Sequence, residues 1–193
     1  MQSMSLAGVA SHFPAQVIDN AFFTDGPHET RPVMFRGARS RHHISLEETS
    51  VDMIAAAVDK LVAKTGFDVT EADIIITHVS IPDLPFTGCG AEVARRLGAR
   101  AQWVLDVNSG GCVAFIKMMA VAQSLMTTSQ AKTALLCNVQ TAGGRIYAHP
   151  GNRSNPQASV PGDGCGVALL VADDTSPVRS VVTHCFPEYA GDM

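Results

Sequence analysis

Cys112 sits in the stretch Asp-Val-Asn-Ser-Gly-Gly-Cys-Val-Ala-Phe, residues 106–115, between an apolar strand-like run and a long apolar helix-like run. A cysteine at the first turn of a helix meets free backbone N–H groups and the positive end of the helix dipole. Both favour thiolate over thiol, the form that attacks carbonyl carbon. Gly110 and Gly111 permit a tight turn and leave room for a substrate carbonyl to approach. A backbone N–H at such an elbow also donates to a developing oxyanion. The pattern parallels the strand-turn-helix nucleophile elbow of serine hydrolases, without their G-x-S-x-G signature. The competing reading is a small residue packed at a helix start, because free cysteines are common in cores.

The remaining candidates are weaker. Cys89, Cys137, Cys165 and Cys185 fall in strand or small-residue packing contexts, and no CxxC pair occurs. An odd, unpaired set of thiols reads as reduced, intracellular cysteine, and the chain is expected to be cytoplasmic. His12, His28, His42, His43, His78, His149 and His184 have strand, loop or unpatterned contexts and no partner spacing for a metal, so structural or solvated roles and no metal are expected. The Gly-Asp-Gly-Cys-Gly run at 162–166 superficially suggests a dinucleotide turn, but it precedes a strand rather than a helix. Arg36, Arg39 and Arg41 form a small basic cluster, and Arg145 and Arg153 lie in a later loop. Either set suits phosphate groups or an acidic carrier, against a plain solvated-surface role.

Placing the thiol takes a strand before it and a helix behind it. "AQWVLDV" (101–107) reads as a buried strand, and the run from about Cys112 to Ser129 is apolar nearly all round, the mark of an interior helix. "SLAGVASHFP" is an opening strand closed by Pro14, whereas Ala21 to His43 lacks periodicity and reads as a long loop region with one helical turn. "EETSVDMIAAAVDKLVAKTG" is a helix with Thr49 or Ser50 as N-cap and Gly66 as its stop. "ADIIITHVS" is a buried strand and "GCGAEVARRLGA" a helix ending at Gly98. "AKTALLCNV", "GVALLVA" and "VRSVVTH" read as further strands. Alternating strands and helices predict an α/β fold, a mainly parallel mixed sheet with helices on both faces. Thr141 to Gly164 is a long loop rich in Gly, Pro, Asn and Ser, and compact domains rarely carry such loops without function.

The totals narrow the function classes. The 193 residues are 46% hydrophobic and 17% charged, with a net charge of −4. No basic stripe exists, which argues against nucleic acid as a partner. The N-terminus has no cationic n-region for a signal peptide, and no segment is expected to span a membrane. A mean hydropathy of +0.14 leans toward a chain that buries more than its own size explains, and a large partner interface would account for it.

Taken in order, these segments resemble the N-terminal half of a thiolase-fold condensing enzyme of the ketoacyl-[acyl carrier protein] synthase III type. "GVASHFP" resembles its opening strand, "RGARSRH" its Gly-x-Arg-x-Arg-His segment, and "ETSVDMIAAAVDKL" its first long helix. "ADIIITHVSIPD" resembles the strand before the dimer-forming loop, and "DVNSGGCVAFIKMMAVAQSLM" the nucleophile strand, elbow and buried helix. "VPGDGCGVALLVADD" resembles the Gly-Asp-Gly turn and the strand after it.

The resemblance implies one N-terminal thiolase-like half-domain over 1–193. It implies that Cys112 takes an acyl group from a coenzyme A or carrier-protein thioester and condenses it with a malonyl-type thioester, releasing carbon dioxide. Coenzyme A and phosphopantetheine then enter as substrates, with no resident cofactor. Phe86 best fits the aromatic that such enzymes pass into a neighbour's channel, so a homodimer is expected, or a heteromer with a chain carrying the C-terminal half. Arg36, Arg39 and Arg153 are the candidate contacts to coenzyme A or the carrier. In the family, a histidine and an asparagine from the C-terminal half complete the site, and no histidine here fills that role by motif.

Three departures point to a specialised member. Val113-Ala114-Phe115 replaces a small residue and glycine before phenylalanine, and Pro161 replaces the phenylalanine before Gly-Asp-Gly. Asn138-Val139-Gln140 stands where an acidic residue and glycine are common. Acyl transfer to an alcohol or amine, and a non-catalytic subunit shaping a partner's channel, are the alternatives. A cysteine hydrolase is disfavoured for want of a Cys-His pair.

Overall fold

Helix α1 (Ser50–Thr65) begins and ends where its side chains dictate. Thr49 accepts from the Asp52 N–H while the Asp52 carboxylate accepts from the Thr49 N–H, a reciprocal capping box. Gly66 stops it in the left-handed region at φ 71°. Met53, Ile54, Ala57, Val58 and Leu61 form its buried stripe. Helix α2 (Gly90–Leu97) likewise ends on Gly98 at φ 66°. The computed structural model describes residues 3–23, 38–84, 86–108 and 110–189.

Among the described residues seven strands are formed: β1 (Ser5–His12), β2 (Gln16–Asp19), β3 (Ser40–His43), β4 (Ile74–Val79), β5 (Trp103–Asp106), β6 (Thr133–Gln140) and β7 (Gly164–Val171). Five build one sheet in the order β1-β7-β6-β4-β5, and β2 pairs with β3 as a separate antiparallel ribbon. The α/β architecture with a mixed sheet is the expected one, but the parallel share is smaller than the pattern suggested. β4 pairs parallel with β5 and β6, whereas β7 runs antiparallel to both β6 and β1. The connection from β6 to β7 contains no crossover helix that would return the chain parallel.

The two faces of the sheet are covered differently. Ile75, Leu135, Cys137, Val167 and Leu169 pack against α1 and α2. Ile74, Ile76, Leu136 and Leu170 pack against helix α3 (Ala114–Thr128) through Met118, Ala122 and Met126. Each fully buried Leu or Ile contributes about 1.5–3 kcal/mol relative to exposure.

Five sequence expectations are corrected. "AQWVLDV" forms an edge strand with Trp103 and Asp106 exposed, because nothing pairs with its outer side among the described residues. Strand β3 lies in the stretch Ala21 to His43 read as loop, and its partner β2 lies just before that stretch, in residues assigned no element; each is four residues long. "VRSVVTH" forms no strand. An isolated bridge joins Ser5 to Pro177, the Val178 N–H donates to the Met4 carbonyl at 2.8 Å, and the ladder goes no further among the described residues. Helix α3 is interior on one side only: Met118 and Ala122 are fully buried, while Ile116 is 40% exposed, as is Val113 in the turn before it, at 54%. Gly111–Thr128 is also long and apolar enough to cross a membrane by length and composition alone, contrary to the expectation that no segment would be. One face of it packs on β4 and β6 through Met118, Ala122 and Met126.

The long loop Thr141 to Gly164 is folded. It holds a π-helical turn (Gly143–Tyr147) and a 3-10 turn (Pro156–Ser159), whose Ala158 is buried with Ile18 and Phe23.

Candidate active site

Cys112 lies in a single 3-10 turn, Gly111–Val113, that leads into α3. The expectation placed it in the first turn of the helix itself; the α-helix starts two residues later. Gly111 adopts φ 56°, a conformation that suits glycine, and Gly110 is packed too tightly for a side chain. The strand ahead of this turn is anchored. Thr77 Oγ1 donates to the Asp106 carboxylate, which also accepts from the Gly90 N–H at 2.9 Å, and the Val107 N–H donates to the Thr77 carbonyl at 2.8 Å.

The Cys112 side chain is exposed and lines an open cleft of ≈ 720 Å³. The same cleft is lined by His78, Ser80, Asn138, Gln140 and the Gly162-Asp163-Gly164 turn. Asp163 is the clamp beneath it. Its buried carboxylate accepts from the N–H groups of Ile44 at 2.9 Å, Gly143 at 2.8 Å and Gly144 at 2.6 Å. One carboxylate thereby ties the end of β3, the π-helical turn and the start of β7 together. Beside it, the Thr141 N–H donates to Ser80 Oγ at 2.9 Å, and the Ala142 N–H donates to Gln140 Oε1 at 3.1 Å.

The other cysteines differ in kind. Burial pushes the thiols of Cys89 up to about 11 and Cys165 to about 12, and pushes that of Cys137 well above its usual range. Cys185 is exposed in the C-terminal segment. A second hollow of ≈ 460 Å³ is lined by Thr49, Asp52, Asp83, Thr87, Cys89 and Arg96, and its thiol is that of half-buried Cys89.

The remaining sequence candidates separate. Phe86 is 99% exposed. Arg36 and His28 lie outside the described residues. Arg39 is exposed next to β3. Arg153 is half-buried, its guanidinium 5.6 Å from the centre of the Phe22 ring, and it does not line the Cys112 cleft. Arg41 leaves the basic cluster altogether. It is buried, stacked 4.8 Å over Phe23, and donates to Asn20 Oδ1. Arg145 pairs with Asp83 at 3.1 Å.

Two polar residues of this cleft escaped sequence reasoning. His78 was read as structural, and Asn138 only as a departure from the family. The signal was a histidine and an asparagine interrupting two otherwise apolar strands near their C-terminal ends, where sites in α/β sheets gather. Among the described residues no group of three potential metal ligands comes together.

Comparison with known proteins agrees with this architecture. Residues 105–186 match the family model for 3-Oxoacyl-[acyl-carrier-protein (ACP)] synthase III. The beta-ketoacyl-[acyl-carrier-protein] synthase III of Xanthomonas euvesicatoria pv. vesicatoria is 27% identical over 181 residues, covering 93% of this chain and 54% of the relative. A crystal structure of a 3-oxoacyl-(acyl-carrier-protein) synthase III superposes with a TM-score of 0.74 at 27% identity, over 90% of this chain and 51% of that one. The priming beta-ketosynthase of the R1128 polyketide biosynthetic pathway shares the fold, with a TM-score of 0.74 at 20% identity over 90% and 51% of the two chains. The chain spans about half the length of the curated relatives it matches. In sequence this chain is similar to 3-oxoacyl-[acyl-carrier-protein] synthase III, and its fold is thiolase-like.

Proposed function

We propose that this chain is the N-terminal half of a condensing enzyme in which Cys112 carries the acyl group. The carrying observation is an exposed thiol on a glycine elbow, in an open cleft, while the thiols of Cys89, Cys137 and Cys165 are held protonated by burial. The thiolate attacks the carbonyl carbon of an acyl-coenzyme A or acyl-carrier thioester, and the carrier thiol leaves. Decarboxylation of a malonyl-type thioester then supplies the carbanion that attacks acyl-Cys112. That step needs donors for the developing enolate oxygen, which the resemblance assigns to a C-terminal half.

Coenzyme A and phosphopantetheine are substrates in this scheme, with no resident cofactor. Exposed Phe86 suits insertion into a neighbouring copy, and exposed Arg39 suits a phosphate or an acidic carrier. The uncovered side of α3, with Ile116 and with Val113 in the turn before it, suits burial by the complementary half. Such chemistry suits fatty-acid or polyketide synthesis, and one structural neighbour is named for a polyketide biosynthetic pathway.

The test is intact-mass spectrometry after exposure to acyl-coenzyme A and acyl-carrier thioesters, preceded by a native spectrum to find any co-travelling chain. A single acyl adduct absent in C112S is expected. Discharge by malonyl thioester supports condensation, whereas discharge by an alcohol or amine points to acyl transfer. No adduct, or one that persists in C112S, overturns the assignment.

A further inference from the structure

The sheet face that packs on α3 changes character at its end. Along β4 and β6 that face reads Ile74, Ile76, His78 and Ala134, Leu136, Asn138, apolar until the last position of each. His78 and Asn138 stand directly opposite each other in the parallel register. His78 Nδ1 lies 2.9 Å from Asn138 Oδ1. An amide oxygen only accepts, so Nδ1 carries a proton and, in the neutral ring, Nε2 keeps its lone pair. Among the described residues the imidazole has no other hydrogen bond. A β-carbon on Gly110 would stand 3.1 Å from His78 Cδ2, the ring carbon bonded to Nε2. The free edge of the ring therefore faces the Cys112 turn, and His78, Asn138 and Cys112 line one cleft.

We infer that His78, oriented by Asn138, is the general base that activates Cys112, so that this half of the fold carries its own nucleophile-base-orienter set. The inference rests on the reading of Cys112 as the acylated nucleophile. The Cys112 Sγ–H proton passes to His78 Nε2. The thiolate then forms a bond to the thioester carbonyl carbon. As the tetrahedral intermediate collapses, the bond to the carrier sulfur breaks, and the leaving thiolate takes the proton back from the imidazolium. Acyl-Cys112, a free carrier thiol and neutral His78 result. Asn138 is a positioning residue: it holds the tautomer and ring plane, and stabilises the imidazolium by accepting from Nδ1.

The test is alkylation of Cys112 by iodoacetamide in the whole chain, followed by peptide mass at about pH 7 and about pH 10, with C112S as the blank. At about pH 7, H78Q is expected to react about tenfold or more slowly and N138L several-fold more slowly. At about pH 10, where thiols ionise without a base, wild type and variants converge. N138D keeps the acceptor and is expected to retain the wild-type rate. Added imidazole restores the rate of H78A, which a purely structural role would not allow. Equal rates at about pH 7, or equal slowing at both pH values, overturn the base assignment. Should H78Q not fold, the N138D and N138L pair decides alone, equal rates in both overturning the assignment. Alkylation needs no thioester. A His78-dependent thiol that no thioester acylates therefore sinks the proposed function, while acylation with His78-independent alkylation sinks only the role of His78.

Discussion

Gly110 and Ala114 approach so closely that a β-carbon on Gly110 would stand 2.6 Å from the Ala114 β-carbon and 2.9 Å from its Cα. The turn carrying Cys112 is thus pressed against the first residue of α3 and, on its other side, against the ring of His78. Backbone cannot swing away as a long side chain would. G110A is expected to destabilise the chain by about 1–3 kcal/mol in urea melts, and to displace the thiol enough to change its alkylation rate. A wild-type urea midpoint in G110A would show the elbow to be looser than this.

Asp163 binds three segments through three N–H groups, those of Ile44 and Gly143 buried and that of Gly144 partly so. Truncation would leave those donors without an acceptor away from water, which costs more than the loss of the bonds alone. D163A is expected to lose about 3 kcal/mol or more, with D163N in between because an amide supplies one acceptor oxygen in place of two. Chemical denaturation followed by circular dichroism gives both values.

His43 is buried between Phe22 and Phe23, in edge-to-face contact with both rings. Burial lowers its pKa below the ordinary 6.5; the Asp163 carboxylate opposes that shift and the Arg41 guanidinium adds to it. The unfolded chain therefore binds this proton more readily than the folded one. His43 stability is fully present above about 6.5 and falls as pH drops below that value. Thermal melts of wild type are expected to lose Tm from pH 6.5 downward, and H43Q to lose less over the same interval. Parallel curves would exclude His43 as the source.

Thiol reactivity should sort by burial. Iodoacetamide on the folded chain is expected to label Cys112 and Cys185, both exposed, well before Cys89, Cys137 and Cys165. Urea should abolish the difference. Early labelling of Cys137, buried in β6, would mean that the sheet opens far more readily than its packing implies.

The two sides of α3 give a direct contrast. Met118 is fully buried on the sheet, so M118A is expected to cost about 2–5 kcal/mol. Ile116 is 40% exposed, and I116S in this chain is expected to stay within about 0.5 kcal/mol. If a complementary half is supplied, I116S should weaken its association, read by native mass spectrometry.

Much of the architecture was legible from local chemistry. Thr49 and Asp52 cap α1 and Gly66 ends it because capping needs only neighbours in sequence. The β-branched runs at 74–79 and the apolar run of 133–140 are strands for the same local reason. The glycine pair before Cys112 marked the turn that carries it. Local pattern failed where partners are distant. Trp103 sits on an edge because nothing pairs beyond β5 among the described residues, and β7 reverses because its connection carries no helix. Arg41 looked like a surface cation and instead stacks on Phe23. His78 and Asn138, 60 residues apart, carry no motif between them; parallel pairing of β4 with β6 alone makes them neighbours. The sequence by itself determined the elements and the thiol at the elbow, because helix caps, glycine turns and apolar periodicity act over a few residues. Only the tertiary structure decided what faces that thiol, because strand register, set by burial across the whole sheet, chooses which distant side chains meet.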